Sequence, residues 1–128
     1  MNAKHWAVAL AMSVLPASAA NLERFLGEWH GDSTCVERNT ACRDEVVVYR
    51  ISRQDSGRIS VSADKIINGS PINMGTLEFR YDADRDLLIC DYPQGIWKFK
   101  VDGAKMQGTL TRPDNSPFRR VTLTRANP

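Results

Sequence analysis

The chain is poor in the residues that most hydrolytic and transfer enzymes depend on. It holds two histidines, His5 and His30, and three cysteines in 128 residues. His5 falls in an N-terminal leader, described below, which leaves His30 alone. Serine–histidine–aspartate and cysteine–histidine catalysis each need a histidine held by a second group. His30 stands beside Trp29 on what reads as the outward face of a strand, so it reads as an ordinary surface residue. Zinc needs several nitrogen or sulfur ligands, and the three thiols belong to an exported segment, where pairing into disulfides is favoured. No metal and no cofactor is expected. Asp82-Ala83-Asp84-Arg85-Asp86 has the opening of a calcium loop, but Leu87 and Pro93 stand where an EF-hand needs glycine and glutamate. It reads as a solvated hairpin turn. Glu78 and Asp91 read as outward, which offers no cleft for a pair of glycosidase carboxylates. The chain is therefore not expected to be an enzyme.

Charge of one sign is also lacking. The formal net charge is +2 at pH 7, and the leader carries Lys4 away. A balance so near neutrality argues against general nucleic-acid binding. No apolar run approaches the ~18 residues of a membrane-spanning helix.

What is present begins with the leader. Lys4 and His5 form a short basic stretch, Trp6–Leu15 is apolar, Pro16 breaks it, and Ala17-Ser18-Ala19-Ala20 offers small residues for cleavage. Residues 1–20 read as a signal peptide that is removed, and residues 21–128 as a single domain. The expected location is the periplasm or the extracellular space. Three cysteines is an odd number, so one thiol is left over. Cys35–Cys42 is the preferred disulfide because both flank one short connection. Closing that loop stabilises by roughly 2–3 kcal/mol on the chain-entropy model. Cys90 is then a buried free thiol, with Cys35–Cys90 as the rival pairing.

After a possible helical turn over Asn21–Phe25, the chain alternates strand and turn to its end. Strand patterns cover about 28–36, 45–53 and 58–67, then 75–82, 88–92, 97–101, 106–110 and 119–125. Val46-Val47-Val48-Tyr49 is a β-branched and aromatic run. Gly75, Leu77, Phe79 and Tyr81 alternate with polar residues. Lys65 breaks the apolar face of the third strand, which a β-bulge would repair. Asn68-Gly69-Ser70-Pro71 reads as a turn, and Asp102-Gly103 as a type I′ hairpin. Sequential hairpins without a long crossover imply an all-β, antiparallel, eight-stranded up-and-down barrel. Closure would leave no exposed edge.

Phe25-x-Gly27-x-Trp29 at the head of the first strand resembles the aromatic-x-G-x-W signature of the calycin group, which contains lipocalins, avidins and small bacterial relatives. In lipocalins a basic residue late in the last strand packs over that tryptophan. Arg125 fits the position, with Arg119 as a second candidate, so the resemblance implies that Gly27, Trp29 and Arg125 close one end. A typical lipocalin is longer, and the inward set here is bulky. A barrel that small can be filled by its own side chains. The resemblance implies a small-ligand-binding barrel, with Tyr49, Tyr81, Tyr92, Trp97 and Met106 around a pocket opposite the closed end. Plain core packing of those aromatics is the competing reading. The partner is then a small apolar or aromatic ligand. The alternative is a protein-interaction module, such as an inhibitor of an envelope hydrolase, binding through Pro113–Pro117 or the N-terminal segment.

Overall fold

The computed structural model describes residues 21–126, so the leader assigned to residues 1–20 lies outside the described residues. Eight strands follow a short N-terminal turn: β1 (Gly27–Cys35), β2 (Glu45–Arg53), β3 (Ile59–Ile67), β4 (Ser70–Asp82), β5 (Leu87–Tyr92), β6 (Gly95–Asp102), β7 (Lys105–Thr111) and β8 (Pro117–Arg125). Each pairs antiparallel with the next, and β1 pairs with β8 to close the barrel. Period-two alternation is the cause. Trp29, Val47, Tyr49, Ile51, Phe99, Val121 and Leu123 are buried on the inner face, while Arg50, Lys100, Thr122 and Thr124 between them are exposed.

Three local features depart from the sequence reading. β4 begins at Ser70 rather than near Gly75, because Asn68 and Gly69 by themselves make the turn, with φ of 52° and 79°. Two left-handed residues between paired Ile67 and Ser70 are the geometry of a type I′ hairpin. The second hairpin is of a different kind from the one expected. Asp102 pairs with Lys105, so its loop is Gly103-Ala104, with positive φ at Gly103 alone. The bulge lies on β4 and not on β3. Ala63 faces Gly75 but Asp64 faces Asn73, leaving Met74 as the extra residue. Lys65 accordingly stays on the inward side, half-buried, at one end of the barrel.

The two ends differ. At one, the turn over residues 21–25 folds Leu22 and Phe25 underneath the strands. Arg24–Asp86 and Arg53–Glu23 ion pairs hold the turn there. Trp29, Ile59, Leu88, Met106 and Leu123 fill that half of the interior with almost no exposure. The other end carries the 36–44 connection, stapled by a Cys35–Cys42 disulfide; Cys90 is the buried free thiol. Here β4 parts from β5. The two strands pair only at Arg80–Ile89, Tyr81–Leu88 and Asp82–Leu87, so β4 from Ser70 to Phe79 has no partner on that side.

Candidate functional site

At the closed end, Arg125 lies over Trp29, with its guanidinium carbon 4.3 Å from the ring centroid. Its Nη1 donates to the Leu26 carbonyl at 2.7 Å and its Nη2 to that of Arg24. The Trp29 indole donates to the Phe25 carbonyl at 2.9 Å, so this buried N–H has its partner within the plug. Gly27 is needed twice over. Its φ is +114°, and a Cβ there would stand 3.1 Å from Arg125 Nη1.

The open half is not filled. A cavity of about 460 Å³ lies there, within the size range of small-molecule sites. Phe99 lies at the centre of its aromatic lining. Its ring is stacked on Trp97 (5.7 Å between centroids), edge-on to Tyr49 (5.8 Å) and tilted against Phe79 (5.4 Å). Gly108, opposite Phe99 in register, makes that ring position possible; a Cβ at Gly108 would come within 2.4 Å of it. Val61, Leu77, Leu110 and Phe118 add apolar wall, and Tyr92 and Trp97 are half-buried.

Of the five residues expected around a pocket, the structure brings Tyr49, Tyr92 and Trp97 to this cavity. Tyr81 and Met106 it places elsewhere. Tyr81 packs edge-on against Phe25 at 5.9 Å and donates its hydroxyl to Asp86 at 2.7 Å, beside the plug. Met106 is fully buried between Val101 and Leu123 in the filled half. Both have the inward parity of cavity residues but the wrong height along the axis.

Sequence reasoning missed the polar corner of the cavity: Ser33, Glu45 and Arg119. Arg119 is buried and turned inward at the open end, so it does not lie over Trp29. Its Nε donates to Ser33 Oγ at 3.0 Å. Nη1 donates to Cys42 Sγ and to the Arg43 carbonyl, each at 3.0 Å. Nη2 donates to the same carbonyl and to Glu45 Oε1 at 3.1 Å. The readable signal was parity: Arg119, Val121, Leu123 and Arg125 share one face, so an inward arginine there needs internal acceptors. Tyr49 borders this corner, and its pKa is pushed up to about 12. Burial is the main cause and the Glu45 charge adds to it, against Arg119 and a hydrogen bond with Ser33. Tyr49 is therefore a neutral phenol at physiological pH.

Outside the barrel, His30 Nε2 lies 2.7 Å from Glu28 Oε1 on the solvent face of β1. Glu28 and Asp64 both pair with Arg50. The Arg50 and Asn73 side chains hold the Asp64 carboxyl below the usual carboxylate range. Asp82 accepts from the backbone amides of Asp84 and Arg85, as an ordinary turn does. Among the described residues no group of three or more His, Cys, Asp or Glu could hold a metal. A cleft of about 310 Å³ marks the outer side of the β4–β5 gap, bordered by Arg58, Glu78, Ile89, Cys90 and Asp91. Burial, with the Asp91 charge, pushes the Cys90 thiol pKa up. No helix among the described residues is long and apolar enough to cross a membrane.

No protein-family model and no curated protein sequence matches the chain. Solved structures do match in fold. One is the siderocalin Ex-FABP, which is described as functioning through dual ligand specificities. It superposes with a TM-score of 0.55 at 15% identity, over 80% of this chain and 74% of that one. The likeness shows a lipocalin-like fold.

Proposed function

We propose that this chain, a lipocalin-like barrel, is an exported, non-catalytic binding protein that takes a small, largely apolar or aromatic ligand into its open end. One observation carries the reading: the closed half is packed solid, while the open half keeps a cavity of about 460 Å³ walled by Tyr49, Phe79, Trp97 and Phe99. A barrel of this size with bulky inward residues has the means to fill itself, so empty apolar volume at one end only is a specific feature. The ligand specificities described for the siderocalin Ex-FABP support the class of activity. Export is supported by the Cys35–Cys42 disulfide, since such bonds persist in oxidising compartments. The non-catalytic reading is supported by the place of His30, outside the barrel and away from the cavity.

The test is native mass spectrometry, without reductant, on protein recovered from its own cell envelope. An extra mass lost on denaturation, and lost in Trp97→Ala, is the expected result. A bare polypeptide would instead favour a second reading, a protein-interaction module. Its surface would be the β3–β4 hairpin rather than the Pro113–Pro117 loop. Ile67, Ile72, Met74 and Leu77 there are 39–44% exposed, an apolar cluster of the kind that marks contact sites.

A further inference from the structure

We infer that the Glu45–Arg119 pair makes the cavity selective for uncharged aromatic ligands over their carboxylate analogues. The inference rests on the cavity being a ligand site. Taken alone, an arginine in an apolar pocket reads as an anchor for an anion, because a guanidinium grips a carboxylate with two parallel hydrogen bonds. The surroundings of Arg119 reverse that reading.

A guanidinium has five N–H donors, and Arg119 has an acceptor for each. Nε is used by Ser33. Nη1 is shared between Cys42 Sγ and the Arg43 carbonyl, and Nη2 between that carbonyl and Glu45. None is left for a ligand. The acceptors are themselves fixed. The disulfide closes the loop that bears the Arg43 carbonyl. Asp44 ties the same loop down, accepting from the Cys35 amide at 2.8 Å and from Arg38 at 2.6 Å. Glu45 is the first residue of β2 and pairs with Ser33 of β1. The Arg119 side chain is only 10% exposed, so it cannot turn to meet an anion without abandoning buried partners.

An incoming carboxylate must then displace Glu45 or sit beside it. Displacement leaves the Glu45 charge half-buried without its partner. Sitting beside it sets two like charges in a site of low dielectric. The donors still free among the residues lining the cavity are neutral; Lys65, inward at the same end of β3, is not one of those residues. Among the described residues, neither the Tyr92 hydroxyl nor the Trp97 indole N–H is engaged by another side chain, and both residues line the cavity. They suit a ligand with an aromatic face and an uncharged acceptor atom.

The experiment compares 2-naphthol with 2-naphthoate by titration calorimetry at pH 7 on the oxidised protein. Both are flat and small enough for the cavity, and they differ chiefly in charge. We expect 2-naphthol to bind at least about tenfold more tightly, and Glu45→Gln to narrow or invert that ratio. A second measurement avoids any variant: lowering the pH until 2-naphthoate is itself protonated raises its affinity towards that of 2-naphthol. If 2-naphthoate binds the parent protein as tightly as 2-naphthol, the charge selectivity is wrong and the cavity remains a ligand site. If neither compound binds protein whose far-ultraviolet spectrum shows it folded, the cavity reading fails and this inference goes with it.

Discussion

Arg119 and Arg125 share the inward face of β8 yet end in opposite surroundings. Arg125 caps an indole and two backbone carbonyls in the packed end; Arg119 is tied into a polar corner at the open one. Substitutions should separate the two ends. Trp29→Ala removes a fully buried indole and should cost roughly 3–5 kcal/mol in urea unfolding. A parent-like midpoint would show that the plug is not structural. Gly27→Ala forces a Cβ onto a left-handed backbone beside Arg125 and should cost on the order of 1–3 kcal/mol. Ligand binding should respond to a different set. Trp97→Ala should weaken affinity about tenfold or more, while Tyr81→Phe, beside the plug, should leave it unchanged; calorimetry with 2-naphthol reads both. Tyr49 adds a pH dependence whose sign follows from its raised pKa. Below about pH 10 both folded and unfolded chains keep the phenol proton, and its contribution is intact. As pH rises towards about 12 the unfolded chain loses that proton first, so stability falls. The urea midpoint should decline between about pH 10 and 12 less steeply in Tyr49→Phe than in the parent.

β4 is the element that makes the barrel asymmetric. Its last three residues, Arg80–Asp82, pair with β5, while its first ten, Ser70–Phe79, lie against β3 and lack a partner towards β5. Pro71, which cannot donate, and the bulge at Met74-Gly75 interrupt that free edge, and such breaks discourage pairing with another strand. Amides of Ser70–Glu78 that point towards β5 should therefore exchange hydrogen much faster than those of the fully paired β6–β7 hairpin. Equal protection in a residue-resolved exchange experiment would mean that β4 and β5 close up in solution. The disulfide loop is the second element with a measurable share. Reducing Cys35–Cys42 should lower stability by roughly 2–3 kcal/mol from loop closure alone. It also frees the Arg43 carbonyl that holds Arg119, so 2-naphthol affinity should fall in the same sample.

At the scale of the whole molecule, two halves of one barrel have different states of packing. Interiors normally pack to crystal-like density, and in the half around Trp29, Leu88 and Met106 those side chains are wholly withdrawn from solvent. The open half gives up dispersion contacts around its cavity and should recover them when that space is occupied. A cavity ligand at about a hundred times its dissociation constant should add roughly 2.7 kcal/mol to unfolding stability, seen as a rise in melting temperature. No rise for any apolar or aromatic compound able to enter, alongside a partner captured through the β3–β4 hairpin, would move the function to that surface.

The strand order was written in the chain, because period-two alternation and glycine- or asparagine-bearing turns are local signals. So was the preference for Cys35–Cys42, which follows from their short separation, while the Gly27–Trp29–Arg125 closure was implied by the resemblance to the calycin group, with Arg119 as the second candidate. Parity placed Tyr49, Tyr81, Tyr92, Trp97 and Met106 on the inward face, but parity does not give height along the barrel axis. Height depends on the register of every strand with its neighbours, a non-local quantity that put Tyr81 and Met106 into the packed end. The bulge shows the same limit: Lys65 suggested a bulge on β3, but the paired strands place it at Met74 of β4 and leave Lys65 on the inward side. Tertiary structure alone likewise decided that Arg119 would meet Glu45, Ser33 and the Arg43 carbonyl, because those groups lie more than seventy residues away in the chain and reach it only through the closure of the barrel.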